Sequence, residues 1–467
     1  MNSRACIPCR FMSIWMASLA APMAAAGGLD EPVEGQAVVR IEDEFTIQEV
    51  AATYNATVEA EVDGGSRPFY LLGLPPGLPS AQFLLLAESD DRIRDADYNW
   101  TAGDPDPGTQ SFFLSILPGH FHNQPLRYTT DLNRDPLFGG DTPAPAAPII
   151  VAIVDTGVDP DHPALQGAVL PGVSFVFGDP ATNDPGNGQD DDGDGAVDEL
   201  RGHGTFIAAL TRLIAPNAQI LPIRVVKDDG GTNVFSVAEG IRAAIDGGAK
   251  VINVSLGSTA DANVIEDLAE EARLAGAVLV ASAGNDGDNT PRFPAAFPGV
   301  IAVAGVDNSD VKAPFSNFGS HIAISAPAVD IASATPDLTW SRASGTSFSA
   351  AVVTGAVARA LGYAPTTSPA QIRLLLEQTA EPIDLRNPAY AGLLGAGRIN
   401  IGALLDAVGG VRPLVRGDAS GDSLVNSTDL NIVLSGFGQA TPIGDVSGDG
   451  AIDSTDLNIV LTGFGGH

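Results

Sequence analysis

Ile149-Ile-Val-Ala-Ile-Val-Asp155-Thr-Gly157 is the stretch that decides the fold of this chain. An unbroken apolar, mostly β-branched run has no solvated face, so it reads as a strand buried on both sides, as in parallel sheets. The same pattern recurs at 219–226, 251–256, 277–283 and 300–304. Helical patterns lie between these runs at 206–214, 234–246 and 262–275. Strands alternating with helices predict an α/β unit: a parallel sheet with helices on both faces. Functional groups in such sheets gather at the carboxyl ends of strands. Asp155 ends the first strand, and Asn285 lies just past the end of another.

Two further glycine-flanked segments follow along the chain, Gly202-His-Gly-Thr205 and Gly345-Thr-Ser347. A serine hydroxyl is a poor nucleophile until a histidine takes its proton, and a carboxylate must hold that histidine's tautomer. Asp155, His203 and Ser347 supply these three groups. A side-chain amide at Asn285, with the Ser347 backbone N–H, suits the negative oxygen of a tetrahedral intermediate.

Composition narrows the function classes. The 467 residues suffice for two to four domains. Asp and Glu number 57 against 24 Lys and Arg, a net charge of −33. Phosphates would be repelled, so nucleic acid and anionic membranes are not expected partners. Residues 1–26 read as a signal peptide, with Arg4 and Arg10 ahead of an apolar run and Ala24-Ala-Ala26 as a cleavage site. Both cysteines, Cys6 and Cys9, lie inside it, so the exported chain is expected to lack disulfides and to use bound cations for rigidity. No membrane span is expected after cleavage.

These motifs resemble the subtilisin-like serine proteases. The segments are Asp155-Thr-Gly-Val-Asp159 with His162-Pro163, Gly202-His-Gly-Thr205, Val251-Ile-Asn-Val-Ser-Leu-Gly257, Ala281-Ser-Ala-Gly-Asn285 and Gly345-Thr-Ser-Phe-Ser-Ala350. The resemblance covers 147–408. It implies that Asp155 orients, His203 acts as base then acid, Ser347 attacks and Asn285 donates to the oxyanion. It also implies that Ser255, Leu256 and Gly257 pair with the substrate backbone, with Gly230 and Gly231 as the opposite wall. Ala351 and Val352 depart from the family's usual proline and histidine.

Residues 27–100 show a strand–helix–strand–strand–helix–strand order, a small α+β ferredoxin-like pattern. The stretch resembles the family's inhibitory propeptide, including Asp91-Arg-Ile and Tyr98-Asn-Trp100. Residues 101–146 have linker composition, rich in Pro, Gly, Asp and Asn.

The C-terminus repeats itself. Gly417-Asp-Ala-Ser-Gly-Asp422 and its continuation to Leu434 recur from Gly444 to Leu461. Asp418, Ser420, Asp422, Asn426 and Asp429 occupy positions 1, 3, 5, 9 and 12 of a calcium loop, and Asp445, Ser447, Asp449, Asp453 and Asp456 repeat them. Residues 415–465 thus resemble a type I dockerin, a small all-α calcium module, which implies a cohesin partner. Asp190, Asp192 and Asp194 form another acidic loop suited to Ca2+. The expectation is a secreted, monomeric endopeptidase acting on polypeptides, made as a zymogen inhibited by its own propeptide. The alternative is a calcium-binding adhesion or scaffold protein on an inactive protease fold.

Overall fold

The computed structural model describes residues 31–64, 67–102 and 148–408, apart from 177, 185, 190–196 and 338. It also describes Leu430, Val433, Leu434, Ser454, Leu457 and Val460. The first unit runs β1 (Gln36–Ile41), α1 (Ile47–Tyr54), β2 (Thr57–Val62), β3 (Phe69–Gly73), α2 (Ser80–Ala87) and β4 (Ile93–Asp97). Its strands form an antiparallel sheet in the order β2-β3-β1-β4, the ferredoxin-like arrangement that the sequence pattern predicts. Thr46 starts α1 with a reciprocal capping box to Glu49, and Asn55 ends it in the left-handed conformation.

Alternation along these strands gives the sheet two different partners. Ala37, Val39, Ile41, Tyr70 and Leu72 pack with α1 and α2 in a local core. Val38, Val62, Phe69 and Leu71 point the other way and join the core of the larger unit.

That unit is built on a parallel sheet of seven strands in the order β13-β12-β11-β10-β6-β8-β7. In chain order these are β6 (Ile149–Asp155), β7 (Val173–Ser174), β8 (Ala218–Arg224), β10 (Val251–Val254), β11 (Val278–Ser282), β12 (Ile301–Val306) and β13 (Ile324–Pro327). Along β6, Val151 and Ile153 face one core while Ala152 and Val154 face the other. The first core is covered by α3 (His203–Ile214) and the long α6 (Thr346–Tyr363), with α7 (Pro369–Gln378) and α8 (Ile401–Ala407) beyond. The second is covered by α4 (Val234–Asp246) and α5 (Asn263–Leu274). The expected sheet with helices on both faces is therefore present. Not foreseen were the short edge strands β7 and β13, the hairpin β14 (Ile331–Thr335) with β15 (Thr339–Ala343), and α8, which follows Asn400.

The small unit lies against α4 and α5. Beyond β4, β5 (Thr101–Ala102) pairs antiparallel with β9 (Thr232–Asn233). The Trp100 carbonyl accepts from Val234 N–H at 2.9 Å, and Asn99 Oδ1 accepts from Phe235 N–H at 3.1 Å. These are first-turn donors of α4, which lack acceptors within their own helix. Arg40 pairs with Asp267 on α5 and lies 3.7 Å from the Phe69 ring centroid.

Near the C-terminus, Val433 and Val460 are buried together with Leu430 and Leu457 against them. These are equivalent positions of the two repeats, as expected if two apolar segments bury one another.

Helices α3 and α6 touch closely at Gly355, where an added Cβ would stand 2.7 Å from the Ile214 side chain and 3.0 Å from the Thr211 carbonyl. Gly355→Leu is expected to cost about 1–3 kcal/mol through overpacking. A lower denaturation midpoint in urea, with the slope unchanged, checks this.

Candidate active site

Asp155 is the last residue of β6 and is buried. Its Oδ1 accepts from Thr156 N–H at 2.8 Å and lies 2.7 Å from His203 Nδ1. That contact orients the imidazole with Nδ1 toward the carboxylate and Nε2 away from it.

Glycines make this approach possible. Gly202, at φ +95°, turns the chain into α3, whose first residue is His203. Gly204 follows, and a Cβ there would stand 2.1 Å from the Gly157 carbonyl and 3.2 Å from the Asp155 side chain. Gly204 N–H instead donates to Thr156 Oγ1 at 3.0 Å. The start of α3 is thus pressed directly on the end of β6.

Ser347 is the second residue of α6 and is fully buried. Its Oγ donates to the Ser255 carbonyl at 3.3 Å, while Ser255 Oγ donates to the Ser347 carbonyl at 3.1 Å. Ser255 Oγ accepts from Asn253 Nδ2 at 2.8 Å, and Asn253 Oδ1 accepts from Thr354 Oγ1 at 2.9 Å. This buried chain of bonds fixes α6 to the end of β10 and draws in Asn253 and Thr354, to which the sequence reading gave no role. The Phe348 ring meets the Phe206 ring at 4.6 Å and the His203 ring at 5.8 Å, both in tilted contacts, so the heads of α3 and α6 lie side by side.

Asn285 reaches the same helix end. Its Oδ1 accepts from Thr346 N–H at 2.9 Å, and Gly284 N–H donates to Thr346 Oγ1 at 3.2 Å. An amide oxygen bound to a backbone donor leaves Nδ2 as the donating end of the side chain. Backbone N–H groups of the first turn of α6, Ser347 among them, point out of the same helix end.

The segments expected to hold peptide flank this cluster. Ser255, Leu256 and Gly257 continue β10 past its end, and Ser258 pairs with Phe293. Leu256 and Gly257 line a cavity with Val234, Val237, Phe293 and Pro294 that Ala102 also borders. Gly230, at φ +90°, and Gly231 form the turn before β9. Among the calcium expectations, Asp190, Asp192 and Asp194 lie outside the described residues. So do Asp418, Ser420, Asp422, Asn426, Asp429, Asp445, Ser447, Asp449, Asp453 and Asp456. Among the described residues no cluster of three or more acidic, His or Cys side chains is arranged for a metal.

Sequence reasoning missed Asp184, buried beneath the catalytic loop. Its Oδ2 accepts from Thr205 Oγ1 at 3.1 Å, and Thr205 Oγ1 accepts from Asp159 N–H at 3.0 Å. Burial pushes its pKa up to about 7, against the hydrogen bond from Gly202, with Asp155 and Asp228 adding repulsion. No local pattern marks such a residue, because its protonation is set by tertiary burial.

A buried carboxylate–imidazole pair and a helix-heading serine, gathered at the carboxyl end of a parallel sheet, are the groups that a serine hydrolase needs. The Subtilase family model matches residues 147–414, and the chain belongs to this family. It is 38% identical over 250 residues to thermitase of Thermoactinomyces vulgaris, covering 54% of this chain and 86% of that one. Identity to subtilisin DY of Bacillus licheniformis is 34% over 270 residues, covering 55% and 90%. Among solved structures, fervidolysin from Fervidobacterium pennivorans, a keratinolytic enzyme related to subtilisin, matches with a TM-score of 0.65 at 25% identity. That match covers 80% of this chain and 61% of the other. The protein is a serine-type endopeptidase, and its substrates are polypeptides. An inactive scaffold is not the favoured reading. No helix among the described residues is long and apolar enough to cross a membrane.

Folding protonates Asp184 wherever the pH lies between its ordinary value of 3.8 and about 7. Its contribution to stability is therefore present below the lower value and lost as pH rises through the upper one. In a Ser347→Ala background, which prevents self-digestion, Asp184→Asn is expected to raise the melting temperature progressively from pH 4 to 7, levelling off above. Calorimetry across that range checks this.

Proposed function

We propose that Ser347 is the nucleophile of this endopeptidase, His203 its general base and then acid, and Asp155 the group that orients His203. The observation that carries this reading is the 2.7 Å contact between buried Asp155 Oδ1 and His203 Nδ1, with Ser347 at the adjoining helix end. His203 Nε2 takes the Ser347 proton as Oγ attacks the scissile carbonyl. Asp155 remains ionised and stabilises the imidazolium. Asn285 Nδ2 and the Ser347 N–H hold the negative oxygen. His203 then protonates the leaving amine, and water hydrolyses the acyl-enzyme by the same steps in reverse.

Substrate backbone adds as a strand beside 255–257, with 230–231 and β9 on its other side. The antiparallel pairing of β5 with β9 supports this, since it is the kind of main-chain contact a bound peptide makes.

The N-terminal unit is read as an inhibitory propeptide within 27–100, following a signal peptide at 1–26 and directing a secreted zymogen. Its support is threefold: a ferredoxin-like sheet, docking on α4 and α5, and the pairing with β9 of β5, which follows directly on residue 100 at the head of the linker. The match to fervidolysin covers more of this chain than residues 147–414 account for, which agrees with it. The 101–146 segment is the linker, and 147–408 the catalytic unit.

A serine-directed fluorophosphonate tests the site. Wild type is expected to label and to shed its N-terminal unit, whereas Ser347→Ala does neither. Asn285→Ala is expected to lower kcat about 100- to 1,000-fold with little change in KM. A folded, processed wild type that labels no better than Ser347→Ala rejects the reading.

Residues 415–465 are read as a dockerin-like module holding Ca2+ in two loops and able to take a cohesin partner. The Asp and Ser oxygens of both loops, with Asn426 in the first, are the hard donors Ca2+ prefers, and the paired burial of Val433 with Val460 supports two facing repeats. The loop at Asp190, Asp192 and Asp194 offers the same donors. Its neighbour Asp198 is engaged otherwise, accepting from Asn187 and Gly188 N–H at 2.9 and 2.7 Å. Removing calcium with excess chelator is expected to lower the melting temperature, and to restore it on adding Ca2+ back.

A further inference from the structure

Residues 182–184 thread between the end of β6 and the head of α3. On the β6 side, Val158 N–H donates to the Thr182 carbonyl at 3.0 Å, and a Cβ on Gly157 would stand 2.7 Å from the Asn183 carbonyl. On the α3 side, Asp184 Oδ2 accepts from Thr205 Oγ1 at 3.1 Å, and Gly202 N–H also donates to this carboxyl. Thr205 Oγ1 in turn accepts from Asp159 N–H at 3.0 Å. One side chain thus grips the residue before His203 and the residue two beyond it, and ties both to the loop that follows Asp155.

Shape alone does not call for an acid here. An asparagine carbonyl would accept the same bonds while staying neutral. Asp184 is instead 2% exposed, and its Oδ1 meets no donor among the described residues. A buried charge without a matching cation is unfavourable, and buried carboxyls of this kind gather at functional sites. From the His203 and Ser347 roles proposed above, on which this step rests, we infer that Asp184 is a positioning residue for His203 and that it serves the reaction as an anion.

The charged groups around Asp184 define what that anion does. Asp155 at the end of β6 and Asp228 beyond β8 both repel it. Asp228 is paired with Arg224, whose other branch holds Asp179. Arg201, beside Gly202, is paired with Asp337, and the Asp159 carboxylate accepts from Asp161 N–H. The reaction itself then creates a further cation, the imidazolium formed when His203 takes the Ser347 proton. While His203 is neutral, Asp155 and Asp184 only repel each other; once charged, it attracts both. Ionised Asp184 therefore lowers the charged step relative to the resting enzyme. Its bonds to Gly202 and Thr205 also become charge-assisted, roughly twice as strong as neutral ones. Because burial holds the acid protonated up to about pH 7, this help arrives only as pH rises.

The test compares the active wild type with Asp184→Asn, which keeps an acceptor and removes the charge. One uncharged peptide anilide is followed from about pH 5 to about pH 9, spanning both ionisations. Wild-type kcat/KM is expected to climb through two ionisations and that of the variant through one, the curves meeting at the acid end. The alkaline plateau of the variant lies about tenfold lower, the equivalent of one pKa unit of coupling. The loss falls on kcat, with KM unchanged. Thr205→Val, which removes the bridging hydroxyl, is expected to show the same alkaline deficit, and Thr205→Ser to restore the rate; this pair decides the matter if Asp184→Asn does not fold. A wild-type plateau in Asp184→Asn or Thr205→Val overturns the inference. So does a loss by one factor at every pH, since a brace acting by shape alone slows the enzyme uniformly. Either result in an enzyme that still labels with fluorophosphonate leaves Ser347 and His203 in their roles. A folded, processed wild type that fails to label overturns both.

Discussion

Everything in the catalytic unit turns on one close approach, that of the first turn of α3 to the end of β6. Gly204 lies so near Gly157 that no side chain fits between them. Only this contact brings His203 within hydrogen-bond reach of Asp155. Because both residues sit on regular elements, the orientation of the imidazole is set by the backbone rather than by mobile side chains. The second approach, α6 onto the end of β10, is built from side chains instead. The run Thr354, Asn253, Ser255 and Ser347 is buried and hydrogen-bonded throughout, so losing one member strands the others.

The N-terminal unit fits this frame because its sheet is two-faced. One set of alternating side chains closes its own small core, and the other set completes the core between α4, α5 and the large sheet. Its last strand then caps α4 and runs along β9. A single segment, 99–102, thus satisfies a helix end and pairs with β9.

Much of this was legible in the sequence, for physical reasons that also explain the gaps. Central strands such as β6 and β11 announce themselves because burial on both faces demands continuous apolar residues. Helix α1 is legible from Thr46 and Glu49, whose capping contacts are local. The edge strands β7 and β13 escape notice because they are short, and Ile-Ser-Ala-Pro carries no clear period. Catalytic candidates are legible because they sit among glycines that the close approaches require. Asp184 is not, since its significance comes from segments that meet only in the folded chain.

Among the described residues the ion pairs rest almost wholly on arginine: Arg40 with Asp267, Arg224 with Asp179 and Asp228, Arg242 with Glu271, Arg292 with Asp286. Basic residues are scarce, 24 against 57 acidic ones, so these pairs use up cations and leave a large surplus of negative charge. Salt screens exposed charges more effectively than partly buried ones. Rising ionic strength therefore relieves the mutual repulsion of the surplus before it weakens the pairs, and a protein of this composition is held together better in brine than in dilute buffer.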